Sequence, residues 1–268
     1  MNRINWTGIY FLILAVMSAN AVAGLSAKEI MIKNEDARKA SEIQSSAVIT
    51  TGGGGGVERV KQFTWWRKLT ADKVRYNTMT RFHSPAEVRG EGILFLEHEN
   101  DQNDVMMYLP AFKKIRRVES QQQSGSFMGS EFSYADIATP HVEDYKYSLI
   151  KEMTCPGLKL KCTVVESTPA TDAVKERTGY TKTLSWVRDD NFMSVAAEFY
   201  GTEGTLIKKM TAGEITEVDP VQHKWMALHL KIENLKSGRF TVLQFSDVLV
   251  NKGIADSIFT QQYLSRVP

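Results

Sequence analysis

From residue 43 onward, apolar and polar side chains alternate with a period of two, and this pattern constrains the fold more than any other feature. One run places Met226, Leu228, Leu230 and Ile232 on a single face. Successive side chains of a strand point to opposite faces, so each run predicts a β-strand with one apolar face. About eleven such strands follow one another at short spacing, which predicts a mainly β antiparallel meander.

A sheet of this width leaves a hollow that its own side chains cannot fill, because a barrel of roughly eight strands is the limit for that. Three occupants remain open: a helix, a folded-in loop and an apolar ligand. Residues 26–40 predict the helix, since Ser26 and Glu29 have the spacing of a capping box. Residues 125–132 carry large apolar side chains between small residues and predict the loop.

Two further local patterns complete the organisation of the chain. Residues 52–56 are five consecutive glycines, which predict a turn because glycine is unfavourable inside a strand. Residues 255–266 predict a short helix after the last strand. Residues 24–268 are therefore expected to form a single domain.

The first 23 residues have the pattern of an export signal. A short basic start precedes the uncharged apolar stretch 8–17, and Ala21-Val22-Ala23 fits the rule for cleavage after Ala23. An uncleaved membrane anchor is the alternative, but the stretch is far shorter than the roughly 20 residues needed to span a bilayer. The net charge of +2 argues against a nucleic-acid partner.

Cys155 and Cys162 are the two cysteines of the chain. In an oxidising compartment such a close pair predicts a disulfide across a hairpin, and two free buried thiols are the alternative. The spacing does not fit a zinc or redox motif. Other chemistry is equally poorly supported: Ser126 stands in the wrong place for a hydrolase elbow, and His98 lacks a second zinc-binding histidine. We expect no enzyme activity, no metal and no cofactor.

The segment 108–136 combines a basic strand with an apolar loop. Alternation places Lys114 and Arg116 on one face of the strand, and Lys113, Ile115 and Arg117 on the other. A solvated strand face is the simplest interpretation. A site for a lipid head group or an acidic partner, formed by Arg116 and Arg117, is the sharper alternative.

The same segment resembles a known family. The matching motifs are Tyr108-Leu109-Pro110-Ala111, Lys114-Ile115-Arg116-Arg117, Ser124-Gly125-Ser126-Phe127-Met128-Gly129-Ser130, Phe132, Tyr134, and the upstream run Pro85-Ala86-Glu87-Val88-Arg89-Gly90. They resemble the outer-membrane lipoprotein-sorting-like proteins, the larger relatives of the periplasmic lipoprotein carrier LolA. The resemblance implies a strongly curved antiparallel half-barrel with helices and a loop packed in its concave face. It also implies a hydrophobic cavity for acyl chains and a periplasmic location.

Within this frame we expect a lipid or lipoprotein carrier that serves sorting toward the outer membrane, with only transient membrane contact. The resemblance also implies a second function, an accessory subunit that docks on an RND-type exporter of the inner membrane. A lipid enzyme acting through Ser126 is a third and weaker hypothesis. The residues expected to line the cavity or its lid are Trp65, Phe95, Met107, Leu109, Phe127, Met128, Phe132, Trp186, Phe199, Leu228 and Leu230.

Overall fold

The computed structural model describes residues 24–98 and 103–266. The predicted export signal over residues 1–23 lies outside the described residues. Within them the chain forms one sheet of thirteen antiparallel strands, rather than about eleven. The strands are β1 (Glu42–Gly53), β2 (Gly56–Leu69), β3 (Tyr76–Ser84), β4 (Gly92–Leu96), β5 (Asp104–Leu109), β6 (Lys114–Arg117), β7 (Tyr145–Thr154), β8 (Lys161–Pro169), β9 (Lys182–Arg188), β10 (Ser194–Tyr200), β11 (Leu206–Asp219), β12 (Lys224–Asn234) and β13 (Arg239–Val250).

The strand order places one long connection between the two edges of the sheet. The order across the sheet is β6-β5-β4-β3-β2-β1-β13-β12-β11-β10-β9-β8-β7. The chain therefore starts at the centre, runs outward to the edge strand β6, and crosses to the opposite edge strand β7 before returning to the centre. The connection over residues 118–144, called here the crossing segment, joins the two edges. The sheet is open and curled, and the predicted half-barrel class is confirmed.

Four short α-helices accompany the sheet in the described part of the chain: α1 (Ala27–Ala37), α2 (Tyr134–Ile137), α3 (Asp172–Thr178) and α4 (Gln261–Leu264). The capping box of α1 is present, because the Ser26 and Glu29 side chains each bond the other residue's backbone N–H. The predicted C-terminal helix is shorter than expected. A 3₁₀ turn occupies Asp256–Phe259, and Thr260 then caps the N-terminus of α4.

The sheet carries apolar residues on both faces of its first half. The main core lies on the concave face and includes Phe63, Phe82 and Phe95. A second cluster lies on the opposite face, where the C-terminal segment 254–264 packs over Met79 and Leu94. Strands β3 and β4 are consequently buried on both sides, whereas most strands were expected to have one polar face.

The turn within the glycine run is shorter than the predicted turn over residues 52–56. The turn itself comprises only Gly54 and Gly55, whose φ angles of 62° and 77° lie in the left-handed region. Gly53 also has a positive φ, and a Cβ there would lie 2.4 Å from the carbonyl oxygen of Gly238. At Gly52 a Cβ would meet the Phe240 ring at 2.9 Å. The close approach of the turn before β13 therefore requires glycine at position 53, within the end of β1, as well as in the turn between β1 and β2.

Candidate functional site

A cavity of about 360 Å³ lies between the concave face, α1 and the crossing segment. The central strands contribute Trp65, Leu230 and Phe245, and the strands of the second half contribute Phe199 and Met210. Most of these side chains are aromatic or aliphatic, so the walls favour an apolar occupant. A methylene group takes up about as much space as a water molecule, roughly 30 Å³, and the cavity has room for about a dozen.

Helix α1 forms one wall of the cavity. Its buried positions Ala27, Ile30, Asn34 and Ala37 follow the helical period and face the sheet. The Asn34 amide donates to the backbone oxygen of Phe192 at 2.6 Å and so fixes the helix to the loop before β10. The next turn of the helix places Arg38 at the cavity wall.

The crossing segment forms the opposite wall through a small hairpin. Phe127 N–H donates to Phe132 O at 2.8 Å, and Ser126 forms an isolated bridge with Ser133. This hairpin directs Phe127, which is 1% exposed, toward the core, where its ring meets Tyr134 edge-on at 5.7 Å. Met128 adopts a left-handed conformation with a φ of 52° at the tip.

Polar contacts hold the tip of this hairpin to the sheet. Glu131 accepts from Asn234 at 2.8 Å and forms an ion pair with Arg239 at 3.0 Å. Its backbone N–H donates to the Thr241 hydroxyl at 2.9 Å, and Lys61 donates to the Met128 carbonyl oxygen. Burial lowers the pKa of the Lys61 ammonium. The loop predicted as a lid is therefore anchored to β2, β12 and β13.

The eleven residues predicted for the cavity occupy several environments. Trp65, Phe127, Phe132, Phe199 and Leu230 line it. Phe95 lies in the surrounding core, and Met107, Met128 and Leu228 pack against that core. Leu109 is half-buried at the end of β5.

Trp186 lies elsewhere, because it packs beside the disulfide with Val195. Strand alternation identifies two faces but does not say which one becomes concave. A bulge between Ser194 and Ala196 also shifts the register of β10, so that Val195 leaves the face shared by Met193 and Ala197.

The remaining predicted site residues lie at or near the edges of the sheet. Arg116 and Arg117 belong to the edge strand β6, and Arg117 forms an ion pair with Asp104 at 2.7 Å. Cys155 and Cys162 are joined by a disulfide with an S–S distance of 2.09 Å. This bond links the ends of β7 and β8 on the far side of the sheet.

A polar group at the cavity wall was not predicted from the sequence. Arg67 lies on β2 and donates to the Thr139 hydroxyl, while its guanidinium stacks on the Tyr76 ring at 3.7 Å. Arg38 lies beside it at the end of α1, with its Nε donating to Asn34 O at 3.2 Å. The signal was present: Arg67 continues the face of Phe63 and Trp65, and Arg38 follows Asn34 by four residues.

Glu97 and His141 complete this polar group. Glu97 accepts from the backbone N–H groups of Tyr76 at 2.7 Å and Thr139 at 3.0 Å, and lies 3.6 Å from the His141 ring. Burial raises the pKa of Glu97, but His141, the Arg67 charge and these hydrogen bonds lower it below its usual range. The hydrogen bond to Glu97 in turn raises the pKa of His141.

A second polar cluster on the cavity wall is satisfied internally. The Tyr180 hydroxyl donates to Asp136 at 3.0 Å, and Lys208 lies 3.6 Å from the same carboxylate. Burial, followed by the Asp136 charge, raises the pKa of Tyr180 well above its ordinary value. This cluster ties α2 to strand β11 and to the residue two positions before β9, without leaving a charge unpaired.

Known proteins share this architecture. A family model described as an uncharacterized protein matches residues 75–266. A LolA superfamily protein from Nitrosomonas europaea is 25% identical, with a TM-score of 0.69 over 90% of this chain and 100% of that one. The chain belongs to the LolA-like family. The resemblance noted in the motifs of this LolA-like protein is thus confirmed.

Two further solved structures are similar to this LolA-like protein over most of its length. A DUF1329 family protein from Desulfovibrio piger is 25% identical, with a TM-score of 0.82 over 89% of this chain and 97% of that one. A Vibrio parahaemolyticus domain described as an outer membrane lipoprotein-sorting protein is 24% identical, with a TM-score of 0.81 over 90% and 98%. No curated protein matches the chain. Among the described residues, no helix has the length and apolar character to cross a membrane.

Proposed function

We propose that this protein is exported to the periplasm and holds the acyl chain of a lipid or lipoprotein in its concave cavity during sorting toward the outer membrane. The observation that carries the proposal is the apolar cavity of about 360 Å³ beneath the crossing segment. Membership of the LolA-like family and similarity to a lipoprotein-sorting protein domain support it.

The energetics suit reversible carriage of one chain. Each buried methylene contributes roughly 0.8 kcal/mol, so about a dozen methylenes contribute on the order of 10 kcal/mol before the losses of binding. Binding also restricts the motion of the chain and of the protein, so the net affinity is lower. A carrier of this kind binds tightly enough to shield the chain and weakly enough to release it to a partner.

The test is a lipid-binding measurement with a cavity-filling variant. Ala197 lines the cavity and is 4% exposed, so Ala197→Phe fills part of it, while Ala173→Phe on the exposed face of α3 is the matched control. We expect solvent extraction and mass spectrometry to recover acyl chains from the wild type and the control. A fluorescent acyl probe should bind the wild type and the control at least tenfold more tightly than it binds the Ala197→Phe variant. A wild-type protein that yields no lipid and fails to bind the probe contradicts the proposal.

A second candidate function is an accessory subunit that docks on an RND-type exporter. Strand β7 favours it, because this edge strand exposes Leu149, Ile150 and Met153 at 51%, 47% and 37%. Unpaired strand edges with apolar side chains are suited to partner binding. Capture of an identified RND transporter by the wild type, lost in Ile150→Lys and retained in Ala197→Phe, is the result expected for this role.

A further inference from the structure

Two guanidinium groups line an otherwise largely apolar cavity. Arg38 reaches it from the end of α1, and Arg67 reaches it from β2, next to Trp65 on the same strand face. Both residues are half-buried. Charged side chains in such surroundings are costly unless an opposite charge or hydrogen bonds compensate them.

The protein compensates these two groups only in part. Neither Arg38 nor Arg67 forms an ion pair with a carboxylate in the described ranges 24–98 and 103–266. The Nε–H of Arg67 is buried and has no hydrogen-bond partner among the same residues. Burial, followed by the nearby charge of Arg67, lowers the pKa of Arg38. Arg67 stacks on the Tyr76 ring, and the Tyr76 hydroxyl donates to the Ala40 carbonyl oxygen at 2.9 Å, two residues after Arg38. The two cations therefore lie in the same part of the cavity wall.

The neighbouring carboxylates are engaged by other groups. Glu35 accepts from the backbone N–H of Val142 at 3.0 Å and lies 3.5 Å from the Lys39 ammonium. Glu97 is occupied by the two backbone N–H groups and the histidine described above. The charges of Glu35 and Glu97 attract Arg38 and Arg67, but among the described residues neither carboxylate is hydrogen-bonded to a guanidinium group. The arginine pair therefore keeps donors that a ligand can use.

Other cations at or near this cavity are paired, which sets Arg38 and Arg67 apart. Lys208 lies beside Asp136 at 3.6 Å, and Arg177 donates to Asp144 at 2.9 Å. If all the cations near the cavity lacked partners, the positive charge of Arg38 and Arg67 would not mark a particular site. A localised pair of cations on the wall of an apolar cavity, with no hydrogen-bonded carboxylate among the described residues, is instead the arrangement that suits a ligand with a charged head and an apolar tail.

We propose that Arg38 and Arg67 bind the anionic head group, a carboxylate or a phosphate monoester, of a single-chain amphiphile whose tail fills the cavity. This inference rests on the proposed function and narrows its ligand. Guanidinium groups present planar forks of donors that match the oxygens of both anions. The cavity of about 360 Å³ has room for one alkyl tail of about a dozen methylenes, so the proposal takes a single-chain amphiphile.

The test compares ligands that differ only in the head group. Dodecanoate, dodecyl phosphate and the neutral methyl dodecanoate are titrated, each as monomer, into delipidated protein, and dissociation constants are measured by calorimetry or by displacement of a fluorescent acyl probe. We expect at least one of the two anions to bind the wild type about 10- to 100-fold more tightly than the ester. The better anion identifies the head group.

Variants then test whether Arg38 and Arg67 cause the preference for an anionic head group. Arg38→Gln and Arg67→Gln should each weaken binding of the preferred anion about tenfold or more while leaving the ester unchanged. Arg59→Gln, on the exposed part of β2, should leave both affinities unchanged. If one variant fails to fold, the other still tests the assignment, and the anion-to-ester ratio of the wild type tests the preference for an anion.

The outcomes separate this inference from the function on which it rests. Equal binding of anions and ester by the wild type overturns the head-group site but leaves acyl-chain carriage in place. Binding of none of the three compounds overturns both. A preference for anions that survives in both the Arg38→Gln and the Arg67→Gln variant overturns the assignment to these two arginines.

Discussion

Phe127→Ala is the sharpest test of how the crossing segment closes the cavity. The ring is 1% exposed, lies 5.7 Å from the Tyr134 ring and 6.4 Å from the Phe95 ring, and borders the cavity on its remaining side. Replacing a buried phenylalanine with alanine costs about 3–5 kcal/mol. We expect about 3 kcal/mol, the lower end, because the ring already borders a cavity.

The measurements are urea denaturation and thermal unfolding of delipidated protein. For a domain of this size each kcal/mol shifts Tm by about 2–4 °C, so Tm should fall by about 6–12 °C. Phe112→Ala is the matched control, since Phe112 is 70% exposed and its loss should change the free energy of unfolding by less than about 0.5 kcal/mol. A loss below about 1 kcal/mol for Phe127→Ala would refute the view that this ring anchors the segment in the core.

Three further predictions concern other parts of the molecule. Replacing both Cys155 and Cys162 with alanine should lower the free energy of unfolding by about 2 kcal/mol, measured by urea denaturation, because the bond closes a short loop. His141→Gln should lower the free energy of unfolding more at about pH 6 than at about pH 9. The fold raises the pKa of His141, so protonated His141 stabilises the protein below about pH 6.5, and this stabilisation is lost as the pH rises through the folded-state pKa. An equal loss at both pH values would contradict the pairing with Glu97. Arg81→Met should increase the rate of amide hydrogen exchange over residues 256–264 about 100-fold, because the buried guanidinium donates to the last two carbonyl oxygens of α4 at 2.8 Å. Unchanged protection would contradict the view that Arg81 holds this segment on the sheet.

The local parts of the fold could be predicted from the sequence because they depend on neighbouring residues. Strand alternation and the Ser26–Glu29 capping box are patterns of a few residues, and the structure confirms them. Helix α3 was missed although Thr171 caps its start and Gly179, with a φ of 75°, ends it. Seven residues are too few to display a helical period.

The long-range parts could not be predicted, because a period of two says nothing about partners. The pairing of β1 with β13 and the packing of the C-terminal segment over β3 and β4 leave no local signature. For the same reason, strand alternation could not identify all the residues that line the cavity. Phe127 and Phe132 lie on the cavity wall, Trp186 lies on the other face, and the arginine pair was missed. Arg38 and Arg67 are separated by a strand and a turn, so only the folded chain brings them together.

The seam between β1 and β13 has a consequence for how the molecule folds. Every other strand pair joins neighbours along the chain, whereas the seam joins Ile43 to Val250. Each half of the sheet can grow by local hairpins, but closure of a loop of this length is slow because of its entropy. Until then β1 and β13 both present an unpaired strand edge at the centre of the future sheet. We therefore expect the seam to be the last part to form, and the folding chain to need protection from aggregation at its middle rather than at its final edges.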